Sequence, residues 1–301
     1  MECVPNISEG RRPAVIDEIA TAARQTPGVR LLDIHSDPDH NRSVLSLVGP
    51  ADAIGEAAFR IATAAVEAID MRDHRGVHPR VGALDVLPFV PLGDTVMQTC
   101  VELAHRVGRR IAESLDVPVY FYGEAALRPE RRLLVEIRRG EYEELRTAIA
   151  TDPARAPDLG PASLGPAGAT AVGARRILVA FNLHLRTREL AVAQAIARTV
   201  RASGGGLPGV QALGLPTSDP ELVQVSMNLT DLEATPLHVA VARVRAEAER
   251  LGVEVARGEL VGLMPARALL AAGADALALP SLSRRQVLEL AIEDWGLRTE
   301  D

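Results

Sequence analysis

Apolar residues recur along this chain with two different periods that alternate from one segment to the next. A spacing of three and four residues, typical of helices, runs through 13–23, 51–69, 94–115 and 140–149. Short apolar runs typical of strands occupy 1–5, 29–34, 43–48, 84–90 and 117–122. Residues 1–89 therefore predict the order strand, helix, strand, strand, helix, strand.

The same order returns after a stretch, 152–173, that is rich in glycine, proline and alanine. A stretch of this length without an element is typical of a linker or a functional loop. Beyond it, strands are predicted at 176–182, 210–215, 222–229 and 253–255, and helices at 187–202, 236–251, 265–272 and 283–295. We therefore predict an α+β chain of two ferredoxin-like α/β subdomains, residues 1–177 and 178–301, each a β-sheet with helices packed on one face. We expect a cleft between them, since such clefts often hold ligands.

The densest group of candidate catalytic side chains lies in the segment 70–86. His74 and His78 stand four residues apart there, a spacing that binds a metal when both lie on one helix. Gly76 and Pro79 argue against a helix, and no cysteine, glutamate or third histidine is close. An acid–base role for one histidine is favoured, because histidine titrates near neutral pH. Two solvated loop histidines remain the simpler alternative.

These histidines are flanked in the sequence by three arginines, for which there are two interpretations: Arg72, Arg75 and Arg80. Such arginines usually form an exposed charged face. They could instead bind carboxylates, helped by further arginines near the ends of other predicted elements: Arg11, Arg12, Arg42, Arg175 and Arg176. The interpretation that these arginines bind carboxylates implies a small polyanionic or polycarboxylate ligand.

The composition narrows the classes of function. The chain has a formal net charge of −7 and only 3% aromatic residues, so it is a poor candidate for binding nucleic acid. No apolar run reaches the ~20 residues of a membrane helix. Cys3 and Cys100 could pair, but two cysteines without a signal-peptide pattern predict a cytoplasmic protein.

Several blocks of the chain resemble the glutamate formiminotransferase family. They follow the family's order over nearly the whole chain and occupy 2–10, 41–44, 70–86, 117–125, 168–175, 180–182, 224–229 and 260–263. The resemblance implies transfer of a formimino group from N-formimino-L-glutamate to N5 of tetrahydrofolate, as part of histidine degradation and one-carbon metabolism. It also implies a stand-alone transferase without the cyclodeaminase domain, a homodimer, and a folate groove between the two subdomains.

The resemblance also assigns roles to residues. The family's catalytic histidine, a general acid and base, matches His78. Its folate-binding loop matches Leu159, Gly160, Pro161, Ala162, Ser163, Leu164, Gly165, Pro166, Ala167 and Gly168. Beyond the resemblance, we expect arginines to bind the substrate carboxylates, and the candidates are Arg42, Arg72 and Arg80. Tetrahydrofolate, in its polyglutamyl form as well, is then the co-substrate, and no metal is expected.

Two departures and two alternatives accompany the resemblance. The family often has an acidic residue at the position of His35 and an aromatic residue at that of Ala167, whose loss would weaken packing against the pteridine. The alternatives are an ATP-dependent 5-formyltetrahydrofolate cycloligase and a folate-binding protein without turnover.

Overall fold

The computed structural model describes residues 1–294, and these fall into two units, Met1–Ile177 and a second that begins at Leu178. The strands of the first unit are β1 (Glu2–Cys3), β2 (Asn6–Ile7), β3 (Arg30–Asp37), β4 (Arg42–Val48), β5 (Leu84–Val90), β6 (Val119–Gly123) and β7 (Thr170–Ala174). Its helices are α1 (Pro13–Arg24), α2 (Ala51–Ala68), α3 (Met97–Leu115), α4 (Leu134–Arg138) and α5 (Glu141–Ala148), with a short 3-10 helix at Pro129–Arg132.

These seven strands form one sheet. β1 and β2 act as two halves of a single strand between β4 and β5, and β3 pairs with the outer side of β4. If β1 and β2 count as the first strand, then β3, β4 and β5 are the second, third and fourth. Their order across the sheet is fourth, first, third, second, and all their pairings are antiparallel. β7 and β6 extend the sheet beyond β5 by parallel pairing.

Both faces of this sheet are covered by helices near β5, β6 and β7. Leu87, Phe89 and Phe121 belong to the core that α1, α2 and α3 cover. Val86 and Tyr120 point to the opposite face, because side chains alternate along a strand, and α4 and α5 cover them there. The prediction of helices on one face is therefore wrong for α4 and α5. All seven residues of β5 are buried, so each face of the sheet needs cover at this strand.

The second unit contains a smaller sheet. Its elements are β8 (Val179–Arg186), α6 (Leu190–Val200), β9 (Val210–Pro216), β10 (Leu222–Leu229), α7 (Leu237–Arg250), β11 (Val255–Val261), α8 (Ala266–Ala276) and α9 (Leu288–Asp294). The strand order is β11, β8, β10, β9, all antiparallel, which repeats the order fourth, first, third, second. α6 and α7 pack on the apolar face of this sheet.

Element boundaries differ from the sequence prediction where pairing is non-local. β7 begins inside the stretch predicted to lack an element. β11 begins at Val255, where the predicted strand 253–255 ends, and continues to Val261. α3 begins at Met97 and not at Asp94, and no side-chain hydrogen bond caps it. The last predicted helix continues to position 295, which lies outside the described residues. No helix within 1–294 is long and apolar enough to cross a membrane.

Candidate active site

The segment 70–83 is a loop that packs against the turn between β3 and β4. Asn41 lies in this turn with a left-handed φ of 50°, and its amide donates to the Arg75 carbonyl at 3.0 Å. Gly76 lies so close to the His40 carbonyl that a Cβ would come within 2.3 Å of the oxygen. The prediction that this segment is not a helix is confirmed. The contacts hold the middle of the loop beside the start of β4.

His78 has both ring nitrogens engaged. Nδ1 is 2.8 Å from the Pro79 carbonyl oxygen, and Nε2 is 3.1 Å from a terminal nitrogen of Arg42. An arginine only donates and a carbonyl only accepts, so the proton lies on Nδ1 and the lone pair on Nε2. Burial, together with the charges of Arg42 and Arg138, holds the pKa of His78 well below its usual value. The ring is therefore neutral at pH 7 and is poised as a base.

Arg42 reaches His78 from β4. Val44, two residues further along the strand, shares a sheet face with Arg42. Val44 pairs with Asn6, and Asn6 pairs with Val86, whose side chain points to the face that α4 and α5 cover. Arg42 therefore lies on that face as well. Burial and the neighbouring Arg138 lower the pKa of Arg42 to about 9. The guanidinium remains charged at pH 7.

Asp85 lies at an irregularity in the pairing of β2 with β5. Asn6 pairs with Val86 and Ile7 pairs with Leu84, so Asp85 is an extra residue, a β-bulge. One carboxylate oxygen accepts from the Val81 amide at 2.8 Å, and the other accepts from Arg138, at the end of α4. Only 1% of Asp85 is exposed. We refer to Arg42, His78, Asp85 and Arg138 as the basic cluster.

Two of the predicted carboxylate-binding arginines have protein partners outside this cluster. Arg80 is buried and donates to Glu141, Glu143 and Nδ1 of His74. It therefore ties the loop to α5 and has no open fork for a ligand. Arg72 is exposed and pairs with Asp70 at 2.5 Å. Of the three predicted arginines, Arg42 alone contacts His78.

His74 has a structural environment. Its Nδ1 accepts from Arg80 and its Nε2 is 2.9 Å from the Asn41 carbonyl oxygen, so both ring nitrogens are used. Burial is the main cause of its lowered pKa. Among residues 1–294, no group of three or more histidine, cysteine or acidic side chains could hold a metal ion.

The predicted folate loop, residues 159–168, is attached to the segment that carries His78. The Pro166 carbonyl accepts from the Met71 amide at 2.7 Å, and the Ala167 carbonyl accepts from the Ala83 amide at 2.8 Å. Gly168 has a φ of +71°, and a Cβ there would come within 2.3 Å of the Val81 carbonyl. The tip, 162–163, is exposed. Backbone hydrogen bonds near the start of β5 thus connect the end of the loop 159–168 to the segment 70–83.

Sequence reasoning missed Asp85 and Arg138 as members of the site. Their ion pair spans 53 positions of the chain, which no local pattern reveals. A signal was present for Asp85, since a lone carboxylate within an apolar strand needs a buried partner. Arg138, within the sequence Ile-Arg-Arg-Gly, gives no comparable signal.

Comparison with known proteins gives consistent matches over nearly the whole chain. A family model described as the formiminotransferase domain, N-terminal subdomain, matches residues 1–175, and one described as the formiminotransferase domain matches residues 180–300. A glutamate formimidoyltransferase of Thermoplasma acidophilum is 44% identical and covers 97% of each chain. Another, from Streptococcus pyogenes, is 45% identical over 90% of each chain. A formimidoyltransferase-cyclodeaminase of Rattus norvegicus is 44% identical over 99% of this chain but only 56% of its own length.

Proposed function

This chain belongs to the formiminotransferase family, and from that premise we propose that it transfers the formimino group of N-formimino-L-glutamate to N5 of tetrahydrofolate. It is an enzyme of the transferase class, and tetrahydrofolate is its co-substrate. Relatives that match over almost their whole length carry the name glutamate formimidoyltransferase. The observation that carries the mechanism is the pair of contacts made by the His78 ring, from which we infer a lone pair on Nε2 and a proton on Nδ1.

The reaction moves one proton between two nitrogen atoms. N5 forms a bond to the amidine carbon, and a tetrahedral intermediate results. N5 must then lose its proton, and the glutamate nitrogen must gain one before its bond to that carbon breaks. Once Arg42 turns from Nε2 of His78 toward the substrate, Nε2 accepts the proton from N5 and then returns it to the leaving nitrogen, so that 5-formiminotetrahydrofolate and glutamate are released. Such acid–base catalysis typically contributes ~100- to 10,000-fold.

The low pKa of His78 suits this sequence. A histidine of low pKa is a weak base and, once protonated, a strong acid. The proton on N5 becomes acidic when N5 has bonded to the amidine carbon, so a weak base is sufficient to remove it. The resulting imidazolium then readily protonates the leaving nitrogen, because Arg42 and Arg138 disfavour a third positive charge beside them.

The loop 159–168 is the proposed folate-binding segment. Its exposed tip and its backbone hydrogen bonds to the His78 segment support this role, because a ligand on the loop would lie near the loop's attachment to that segment. Ala167 is only 8% exposed and packs in the core of the first unit. We therefore expect the pteridine to pack against other loop residues than the one at position 167.

The proposal extends to features of the fold and the assembly. The strand order fourth, first, third, second in both units supports a ferredoxin-like class for the subdomains 1–177 and 178–301. The folate groove between them, the homodimer, the cytoplasmic location and catalysis without a metal are predictions from the family resemblance. Sedimentation equilibrium tests the dimer, cell fractionation tests the location, and activity after dialysis against EDTA tests the metal.

The transferase activity is tested by mixing the protein with tetrahydrofolate and N-formimino-L-glutamate. Acid treatment converts the product to methenyltetrahydrofolate, whose absorbance should grow with enzyme and with time. Parallel reactions replace both substrates by 5-formyltetrahydrofolate and ATP. Signal in the parallel reactions alone would identify a cycloligase and refute the transferase. Folate binding without signal in either would identify a binding protein.

A further inference from the structure

The basic cluster contains two arginines but only one buried carboxylate. Arg42 makes no ion pair within 4 Å among residues 1–294, and its one side-chain hydrogen bond there is to His78. Its Nε is buried and has no hydrogen-bond partner. Asp85 and Asp37 lie near enough to favour the charge of Arg42, but neither forms an ion pair with it. Its guanidinium therefore keeps donors that an anion can use.

Arg138 shows the same pattern from the other side of the cluster. It donates to Asp85, its side chain is only 12% exposed, and its Nε is also buried without a partner. Asp85 divides its two oxygens between Arg138 and the Val81 amide. Both oxygens of the cluster's one carboxylate therefore already accept hydrogen bonds, while Arg42 and Arg138 each retain an N–H donor without a partner.

We propose that Arg42 and Arg138 together bind the α-carboxylate of N-formimino-L-glutamate, and that Asp85 is a positioning residue that holds Arg138. This inference rests on the proposed transferase function. A carboxylate offers about four lone-pair sites. Arg42 and Arg138, whose charges both act on His78, supply guanidinium forks that can satisfy them. Its negative charge would balance the excess positive charge of the cluster.

The position of the cluster selects the α-carboxylate among the carboxylates that the reaction brings. Arg42 lies 3.1 Å from Nε2 of His78, the atom that exchanges the proton. In N-formimino-L-glutamate the nitrogen that leaves is bonded to the same carbon as the α-carboxylate. The γ-carboxylate is further along the side chain, and the glutamyl carboxylates of folate lie beyond its benzoyl ring.

The first test replaces Arg138 by methionine, which keeps the length of the side chain and removes its charge. We expect the KM for N-formimino-L-glutamate to rise roughly 10- to 100-fold, as for the loss of a charged hydrogen bond, while the KM for tetrahydrofolate changes less than about twofold. Arg139→Met is the matched control, because Arg139 is the next residue and its side chain is 69% exposed. Equal KM values for both variants and the parent would overturn the proposal, as would a rise confined to the KM for tetrahydrofolate.

The second test assigns the carboxylate by changing the ligand. The α-amide and γ-amide analogues of N-formimino-L-glutamate each lack one carboxylate. In Arg138→Met, relative to the parent, we expect the KM of the γ-amide to rise as much as the KM of the true substrate. We expect the KM of the α-amide to be the same in both proteins. A KM for the γ-amide that no longer responds to Arg138→Met would assign the site to the γ-carboxylate and contradict the proposal.

Asp85→Asn tests the positioning role. The amide oxygen of asparagine can still accept from Val81, but the charge that holds Arg138 is lost. We expect a higher KM for N-formimino-L-glutamate and an unchanged KM for its α-amide analogue. A purely structural role of Asp85 would raise both KM values together, and that outcome would contradict the assignment.

Binding of L-glutamate separates a failure of this inference from a failure of the proposed function. Titration calorimetry measures this binding without turnover. We expect the dissociation constant to rise roughly 10- to 100-fold in Arg138→Met and to stay constant in Arg139→Met. If the parent protein binds glutamate in this way but transfers no formimino group, the proposed function fails and the carboxylate site stands. If transfer occurs and the glutamate affinity is the same in all three proteins, the site fails and the function stands.

Discussion

At the scale of single residues, the proposed chemistry depends on which nitrogen of His78 carries the proton. The Pro79 carbonyl and the Arg42 guanidinium fix that choice from opposite sides of the ring. The carbonyl oxygen belongs to the backbone, so side-chain substitutions leave this acceptor in place. The orientation of the His78 ring is therefore set mainly by the path of the loop.

Substitution of His78 by asparagine tests the proton transfer. We expect kcat to fall ~100- to 10,000-fold, because asparagine cannot accept the N5 proton, while the affinity for 5-formyltetrahydrofolate, measured by fluorescence, changes little. His105→Asn is the control, since His105 lies on α3 outside the basic cluster, where its Nε2 bonds to the Ala125 carbonyl. Turnover of His78→Asn within tenfold of the parent would contradict the acid–base role.

The acid–base state of His78 gives a second prediction. Its pKa in the folded protein lies well below 6.5, so the ring should stay neutral as the pH falls through 6.5. We expect the C2-proton NMR signal of His78, identified by its loss in His78→Asn among the seven histidines, to titrate only in more acidic solution. An unfolded chain would bind this proton first, so acidification below 6.5 favours unfolding. A signal that titrates at or above 6.5 would show that the ring is not shielded.

At the scale of elements, Arg80 connects the loop 70–83 to α5. Its side chain is only 7% exposed, whereas the side chains of Glu141 and Glu143 are 40% and 58% exposed. Loss of Arg80 therefore removes the hydrogen bonds of a buried charge but leaves both glutamates in contact with water. Its effect should be on the stability of the loop and helix, not on substrate affinity directly.

Arg80→Met measures this contribution. We expect the free energy of unfolding in urea to fall by about 1–3 kcal/mol, the usual range for hydrogen bonds to charged groups. Arg72→Met serves as its control, because Arg72 forms an exposed pair with Asp70 and should leave the urea midpoint unchanged. Equal midpoints for the two variants would mean that Arg80 does not tie these elements together.

Periodicity identified most helices and strands, because their apolar faces repeat within each element. β5 and β10 were predicted with the bounds that the structure gives them. β7 was missed, since Thr-Ala-Val-Gly-Ala has few large apolar residues and is held by parallel pairing to strands far along the chain. The site follows the same rule. The resemblance supplied His78, but the partners of Arg80 lie 61 and 63 positions away and only the fold brings them together.

At the scale of the whole molecule, the formal net charge and the local charge have opposite signs. The chain carries −7, while the basic cluster holds two arginines against one aspartate. Acidic side chains elsewhere keep the surface negative, and burial protects the cluster from screening by salt. In the proposed mechanism, an anionic substrate is therefore selected by this local field and not by the charge of the whole protein.

The two cysteines report on the integrity of the whole first unit. Cys3 and Cys100 are both free and both fully buried, and burial raises the pKa of each thiol. We expect no reaction with a thiol reagent in the native protein and two reactive thiols per chain after denaturation. The labelling transition should coincide with the loss of helical circular dichroism. Rapid labelling of the native protein would contradict this packing.

The bulge at Asp85 makes the length of the chain at this point as important as its composition. Deleting one residue here would give β2 and β5 an unbroken ladder of hydrogen bonds, which is a locally favourable change. If the deleted residue is Asp85, the carboxylate that holds Arg138 is lost. The residues before it also move by one position relative to Ile7. We therefore expect single-residue insertions and deletions between Val81 and Val86 to abolish activity in proteins that still fold. A scan of length variants would thus map the functional boundary of the loop more sharply than a scan of substitutions.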